Sequence, residues 1–497
     1  MNNLSTYNYQ TFDSESAIQL NTIKLLFEGL ITNLTDLQHR LDSNGDSTVI
    51  IALAYQKWGS TFINQLEGHF FITLFDEERR ILLMYRDRFG VIPCYYYRTD
   101  HFFACSTEVK QLLQLPNFKR KIDREGLGDY LSYGYVHAPK TIVIGVSQLL
   151  PGHFLKLTDD EVSIHAYWSA TYNFDYTIDG RTEEQHEFHI NRIQDEIGQL
   201  NLFLEEKLSK LPSPENIMTL VGLVDHPTPF SFRYLLGRGQ SIDQAESIAS
   251  SVGHTTLWGE GPIYQVLESF QEYRWLLSYP KSLRRVISNW VDIPYKQELS
   301  ATYQQLIQQD YYDLDYLYPT YNRLYPIAPL QQSIGGVIED MQKEIAQSTV
   351  VYQTAGFAFP YLAKVGLLEM QSLVANAQLP ALYQLTKNRT HGIRYPFLTP
   401  KLQRYLLHLP DEHKVTLRQK LKLSIIEVDT PHSLLTALSE ENRSELLANF
   451  QNRSFVNGQF KLDVEERFNR ITQVKSEQLL ESILLLELWL TENNIDE

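Results

Sequence analysis

The chain contains 497 residues, of which 43% are apolar, and its formal net charge is −16. An apolar fraction of this size can bury a substantial core, which argues against a disordered chain. An acidic surface repels phosphate backbones, so nucleic acid is excluded as a general partner. The length predicts two large domains or about three ordinary ones.

The sequence contains two cysteines, Cys94 and Cys105. They are too few for a disulfide framework or a four-cysteine zinc site, and reduced thiols are typical of the cytoplasm. The first twenty residues lack a basic stretch followed by an apolar one, so no signal peptide is predicted. The most apolar run, LLESILLLELWL, contains two glutamates and is too short to cross a bilayer. We therefore expect a cytoplasmic protein with no membrane contact, and a buried helix at this run.

Short apolar runs separated by charged turns dominate residues 21–110. IKLLFEGLITN is an apolar run that ends in a Gly-containing turn, and STVIIALAYQKW has helical spacing up to Gly59. Three later runs have the pattern of strands: HFFITLFD, RRILLMYRD and HFFACSTEV. A helix between pairs of strands predicts a layered α+β sandwich.

The character of the chain changes near residues 170–182. Before that point, REGLGDYLSYGYV predicts a helix, and LLPGHFLKLTDDEVSIHAYW predicts a hairpin with a Pro-Gly turn at its start. After it, helical patterns dominate, with Tyr- and Gln-rich loops expected near residues 302–330. We therefore expect two domains, at residues 1–170 and 171–497.

Read in order, these segments resemble a known family. The stretch WGSTFINQLEGHFFITLFDEERRILLMYRDRFGVIPCYYY, followed by FACSTEVKQLL, is similar to the glutamine-hydrolysing asparagine synthetases. That family carries a Trp-Gly pair, a LnGmFAfaiwD strand, then aRDrlGikPlYY and faSEiKaLl. The connector LGDYLSYGYVHAPKTIVIGVSQLLPGHFLKL is also similar, so the resemblance covers residues 23–169. Beyond it, only IRYPFLTPKLQRYLLHLPDEHKV and a remnant, LWGEGPIYQ, resemble the family.

The resemblance implies a two-part fold. Its first part is an N-terminal-nucleophile-type glutaminase, an αββα sandwich shortened at its start. Its second part is a mostly helical, degenerate α/β domain of the ATP-pyrophosphatase type. Within the first part, YRDRFGVIPCYYY is expected to be a strand–turn–strand corner in which Arg86, Asp87 and Arg88 form a lattice of ion pairs and hydrogen bonds.

The resemblance also implies a glutaminase whose nucleophile is a cysteine at the processed N-terminus. Here position 2 is Asn and no cysteine lies near the start. In FEGLITN, Glu28 stands where the family has an oxyanion-binding Asn, and a carboxylate there would repel a developing oxyanion. Gly29 is kept, as expected for a turn with positive φ, and Asp46 matches the Asp that holds the substrate's α-amine. Gly29 and Asp46 are therefore predicted to be vestigial substrate-binding residues.

The synthetase half should carry Ser-Gly-Gly-x-Asp-Ser, whose amides cradle the pyrophosphate of ATP. This motif does not occur in the sequence. In LWGEGPIYQ only Glu260 remains as a magnesium ligand, and one carboxylate binds magnesium poorly without phosphate ligands. The family's vDR segment becomes KNR, which leaves Lys387 and Arg389 as weak candidates for anion contacts. We therefore expect no bound cofactor; ATP and magnesium would be needed only by an active synthetase.

Two further groups of residues are candidates for binding. His186 and His189 have the i, i+3 spacing of metal ligands on a helix, but the segment is polar on most faces, and solvated histidines are commoner, so no metal site is predicted. The segment at residues 310–326 contains six tyrosines, a residue type enriched at interfaces. It predicts either a partner-binding surface or a loop packed on its own domain.

Three functions are compatible with this pattern. The favoured one is a pseudoenzyme that has lost both reactions and acts as a non-catalytic partner or scaffold in a biosynthetic complex. The alternative is an ATP-dependent amide-forming enzyme of peptide or natural-product maturation, because lasso-peptide cyclases and β-lactam synthetases resemble the family and lack the nucleophile. The third is a binder of a peptide or metabolite. The expected partner is an intact synthetase-like subunit, a precursor peptide or a second copy of the chain.

Overall fold

The computed structural model describes part of the chain, namely residues 2–3, 8–11, 17–159, 161–169, 252–259, 261–294, 296, 300–322, 360–386, 395, 397–414, 486, 489, 490, 493 and 495. Two β-sheets occupy the N-terminal part of these residues, and helices form the C-terminal part.

The larger sheet has six strands in the order β11-β10-β6-β5-β4-β3, and every neighbouring pair is antiparallel. Its strands are β3 Ala17–Leu20, β4 Ile23–Ile31, β5 Gly68–Asp76, β6 Ile81–Arg86, β10 His153–Leu157 and β11 Val162–Ala166. The strands predicted from HFFITLFD and RRILLMYRD, and the hairpin after Pro151, are confirmed.

The smaller sheet has five strands in the order β1-β2-β8-β7-β9. Its strands are β1 Asn2–Asn3, β2 Asn8–Thr11, β7 Tyr95–Arg98, β8 Phe102–Ser106 and β9 Val146–Gln148. The β2–β8 pair is parallel, whereas the other pairs are antiparallel. The predicted strand in HFFACSTEV is β8.

Apolar residues fill the space between the two sheets. Leu26, Phe71 and Met84 of the larger sheet pack in one cluster with Phe103 and Cys105 of the smaller one. On its other face, the larger sheet packs against α1 Leu34–Leu41 and α2 Ser47–Trp58. The short helix α3 Val109–Leu112 contacts β7 and β8. The predicted layering of helices and two sheets is therefore present.

The two helices predicted in the N-terminal part are present, although the one predicted from REGLGDYLSYGYV ends at Tyr133. The Asp46 side chain accepts a hydrogen bond from the Val49 amide at the start of α2, and Gly59 ends this helix with a positive φ. Asp123 caps α4 Arg124–Tyr133, and Gly134 ends it in the left-handed region. A 3₁₀ segment, Gly59–Gln65, follows α2.

The described residues after 252 form helices. The α-helices are α5 His254–Trp258, α6 Pro262–Glu272, α7 Lys281–Ile287, α8 Ser300–Ile307, α9 Leu314–Asn322, α10 Tyr361–Glu369, α11 Leu379–Thr386 and α12 Pro400–His408. Two 3₁₀ segments, Tyr273–Ser278 and Ser288–Trp290, and a π-helix, Met370–Gln378, complete the set. Apolar side chains of α6, α8, α9 and α10 share one core.

The structure corrects two predictions of local conformation. Gly29 has φ +128°, but it lies inside β4 rather than in a turn, because β4 continues to Ile31. The Tyr- and Gln-rich region is helical in α8 and α9 rather than looped. In α9, Tyr318 is buried and Tyr316 is 49% exposed, because the two side chains lie on different faces of the helix.

Of the C-terminal run LLESILLLELWL, the structure describes Leu486, Trp489 and Leu490. These three residues are helical and buried, as predicted.

Candidate functional site

Two completely buried charges lie at the end of β6, namely Arg86 as its last residue and Asp87 in the loop that follows. Both carboxylate oxygens of Asp87 accept backbone hydrogen bonds, which come from the amides of residues 89–92 at 2.8–3.2 Å. The Arg86 guanidinium donates to the carbonyl oxygens of Gly90, Ile92 and Leu149 at 2.7–3.1 Å. The predicted hydrogen-bond lattice is therefore present, but these groups bind mainly the backbone rather than each other.

The register of the larger sheet places polar side chains on the face that meets the smaller sheet. Glu28 is paired with Phe71, and Phe71 is paired with Arg86, so these three side chains form one row across β4, β5 and β6. His69 lies two residues before Phe71 and points to the same face. A carboxylate, an imidazole and a guanidinium thus lie on the same face of the larger sheet.

The Glu28 carboxylate is bound by two hydroxyl groups. Tyr383 of α11 donates a hydrogen bond from its hydroxyl to one carboxylate oxygen. Thr107 donates to the other oxygen at 3.5 Å, and its Oγ1 lies 2.9 Å from the Tyr383 hydroxyl. The C-terminal part of the chain therefore reaches the position at which the resemblance places an oxyanion-binding residue.

Three further contacts hold the C-terminal part beside this row. The Ala138 amide donates to Asn376 Oδ1 at 3.0 Å, and Arg86 reaches the Ala375 carbonyl at 3.5 Å. The rings of His69 and Tyr395 meet edge to face, with centroids 5.1 Å apart. These contacts involve residues before and after Tyr383 in the chain, so they hold the segment that carries Tyr383 beside the row.

Burial lowers the pKa of His69, with a smaller opposing effect from Asp87. Its Nδ1 is buried and has no hydrogen-bond partner in the described structure. A neutral imidazole is consistent with both facts, because a charged ring without partners would be strongly destabilised. His69 therefore lines this site as an uncharged group.

The two predicted substrate-binding residues are both used by the fold. Asp46 accepts from Thr48 Oγ1 at 2.6 Å and from the Val49 amide at 3.0 Å, and these bonds lower its pKa. At Gly29, a Cβ atom would lie 2.1 Å from the His69 carbonyl oxygen, so only glycine fits against β5. These structural roles account for both residues without a bound substrate.

Both cysteines are fully buried, Cys94 beside the Arg86–Asp87 loop and Cys105 in β8. They belong to the apolar cluster between the sheets. Neither thiol is placed to attack a substrate from solvent.

The C-terminal candidates Glu260, Lys387 and Arg389 lie outside the described residues. A different carboxylate is found near the LWGEGPIYQ segment: Glu369 accepts from the Tyr264 hydroxyl at 2.5 Å and from Thr256 Oγ1 at 2.9 Å. Burial raises the pKa of Glu369. Its sequence context gave no sign of this contact, because residues 256, 264 and 369 meet only through tertiary packing.

His186 and His189 also lie outside the described residues. Across the ranges that are described, no three His, Cys, Asp or Glu side chains group together as metal ligands. None of the helices in those ranges combines the length and the apolar character needed to cross a membrane.

Comparison with known proteins gives the class of the N-terminal part. Residues 8–168 match the glutamine amidotransferase domain family. Apart from strand β1, this range contains both sheets, and it includes the row formed by Glu28, Phe71 and Arg86. Residues 8–168 therefore form a glutamine amidotransferase domain.

The relatives make this more specific. Asparagine synthetase [glutamine-hydrolyzing] 3 of Bacillus subtilis strain 168 is 29% identical over 170 residues, which are 32% of this chain and 28% of the relative. Asparagine synthetase [glutamine-hydrolyzing] 2 of the same strain is 29% identical over 160 residues, which are 30% of this chain and 21% of that relative. Over this stretch the chain is thus similar to the glutamine-hydrolysing asparagine synthetases. The match spans under a third of the length of these relatives.

A solved structure is similar at a lower level. The structure is that of glutamine phosphoribosylpyrophosphate (PRPP) amidotransferase from B. subtilis, complexed with ADP and GMP. The match covers 38% of this chain and 39% of the amidotransferase chain. It shows 14% sequence identity and a TM-score of 0.22. This similarity is too low to define the fold.

Proposed function

We propose that the chain is an asparagine synthetase-like pseudoenzyme that has lost glutaminase and ATP-dependent synthetase chemistry and acts as a non-catalytic partner in a biosynthetic complex. Its N-terminal part is a sandwich of the N-terminal-nucleophile type, and its C-terminal part is a degenerate ATP-pyrophosphatase domain. The expected partner is an intact synthetase-like subunit or a precursor peptide.

One observation carries this proposal: the environment of Glu28. An oxyanion hole needs hydrogen-bond donors aimed at developing negative charge. Here the side chain at this position is an acceptor, and the Tyr383 and Thr107 hydroxyls bind it. A negative group would meet repulsion there instead of stabilisation.

Two features support the same conclusion. The two cysteines of the sequence are buried, so neither replaces a nucleophile. The sequence contains no Ser-Gly-Gly-x-Asp-Ser motif to cradle pyrophosphate.

The ATP half of the proposal is tested by calorimetric titration of Mg-ATP into the full chain, with an active asparagine synthetase as positive control. The expected result is the heat of dilution alone. Micromolar affinity for Mg-ATP would contradict the proposal and favour an ATP-dependent amide-forming enzyme that acts without glutamine. Assays of glutaminase turnover test the other half.

A further inference from the structure

Tyr383 lies in an apolar cluster that belongs to the amidotransferase domain. Its side chain is 6% exposed and packs with Leu26, Phe71 and Cys105, although it comes from α11. A tyrosine that is buried in this way needs a hydrogen-bond partner for its hydroxyl group. The partner is the Glu28 carboxylate.

The Glu28 carboxylate and the Tyr383 hydroxyl are chemically complementary, because the carboxylate accepts the hydrogen bond that the hydroxyl donates. A hydrogen bond from a hydroxyl to a carboxylate is roughly twice as strong as one between neutral groups. Thr107 supplies a second hydroxyl, so each carboxylate oxygen of the half-buried Glu28 accepts a hydrogen bond. Glu28 therefore gains a specific internal ligand where an oxyanion would have been bound.

The segment that precedes Tyr383 is anchored to the amidotransferase domain. Asn376 binds the Ala138 amide, and Ala377 packs with Tyr133 and Tyr135. Tyr383 follows on the next helix, whose position these contacts set. The phenol is thus presented by a fixed helix rather than by a free loop.

We propose that Tyr383 is a built-in occupant of the former glutamine pocket, which closes the pocket to small molecules and locks the C-terminal part onto the amidotransferase domain. This inference rests on the proposed function, because it assigns the lost glutamine site to the space beside Glu28.

The test is calorimetric titration of L-glutamine into the full chain and its variants. Tyr383→Ala removes the ring and opens the pocket, so it is expected to bind L-glutamine at least about tenfold more tightly than the wild type, equivalent to one good hydrogen bond. Tyr383→Phe keeps the ring and is expected to stay closed. Tyr311→Ala, at a side chain that is 55% exposed, is the matched control and should behave as the wild type.

Hydrogen exchange provides a second readout that does not require the alanine variant to fold. Tyr383→Phe removes only the hydroxyl, so amides of β4 and of residues 376–386 are expected to exchange about tenfold faster, as for the loss of one charge-assisted bond. Tyr311→Phe should leave them unchanged. Equal exchange in wild type and Tyr383→Phe would overturn the locking role.

The outcomes separate this inference from the proposed function. If the wild type binds L-glutamine as tightly as Tyr383→Ala does and releases no ammonia, Tyr383 does not close the pocket. This result would overturn the present inference but not the proposed function. Failure of a folded Tyr383→Ala variant to bind would also overturn it. Ammonia release by the wild type would contradict the proposed function itself.

Discussion

Asp87 shows how this fold accommodates a buried charge. The carboxylate accepts hydrogen bonds from four buried backbone amides of its own loop, and it thereby helps to satisfy these donors. The loop therefore stabilises the fold of the amidotransferase domain, and its many charged residues are not evidence of catalysis.

Asp87→Asn should be strongly destabilising. The amide replaces one acceptor oxygen by a donor that faces other donors, so we expect a loss of about 3 kcal/mol in the free energy of unfolding. Urea denaturation followed by fluorescence measures it. Asp36→Asn, at an exposed ion pair on α1, is the control and should stay within about 0.5 kcal/mol. An equal, small effect at both positions would contradict this role.

Lys414 is a further buried charge, and it makes no hydrogen bond through its ammonium group in the described structure. Its Nζ is buried without a hydrogen bond, and burial lowers its pKa to about 8, with Asp411 opposing the shift. The unfolded chain keeps its proton up to a pKa near 10.5. Between these values the unfolded state binds more protons, so the stability of the wild type rises with pH.

Lys414→Met should therefore stabilise the protein at neutral pH. Removing the buried charge is expected to raise the free energy of unfolding by about 2 kcal/mol at pH 7. The gain should shrink from pH 8 and vanish above the unfolded pKa, where the wild-type amine is neutral in both states. Urea denaturation across this range tests it, with Lys121→Met at an exposed side chain as control. A loss of stability at pH 7, or a gain independent of pH, would be the contrary result.

At the scale of elements, α2 connects local sequence to packing. Asp46 caps its first turn, and the buried face of the helix includes Ile50, Ile51 and Ala54. The sequence predicted this helix and its end at Gly59 because capping and stop signals are local. It did not predict that β4 runs through Gly29, because the close approach of β5 is a tertiary contact.

If Asp46 acts as the N-cap of α2, substitutions at this position should change the stability as they do at other helix N-caps. Asp46→Ala is expected to lower the free energy of unfolding by about 1 kcal/mol, whereas Asp46→Asn should stay close to the wild type. The lowered pKa means that the carboxylate stabilises the fold above its unfolded value of 3.8 and loses this effect as the pH falls. Thermal unfolding at pH 7 and pH 3 checks both points. Equal losses for the alanine and asparagine variants would indicate another role.

At the scale of the whole molecule, the sequence predicted the N-terminal part better than the contacts between the parts. The strands, the hairpin and the layered sandwich follow from periodicity and turn residues within residues 21–170. Glu28 was identified from its position in a motif, but its partner was not, because Tyr383 lies 355 residues away in the chain. No local pattern distinguishes this tyrosine from the many others in the sequence.

The most direct test of the central claim follows L-glutamine labelled with ¹⁵N in its side-chain amide by NMR. The full chain is incubated with it, with and without Mg-ATP, beside a glutamine-hydrolysing synthetase as positive control. The account predicts ammonium release at the rate of the protein-free sample under both conditions. Release approaching about 1 s⁻¹ per chain, a common enzymatic turnover, would contradict it.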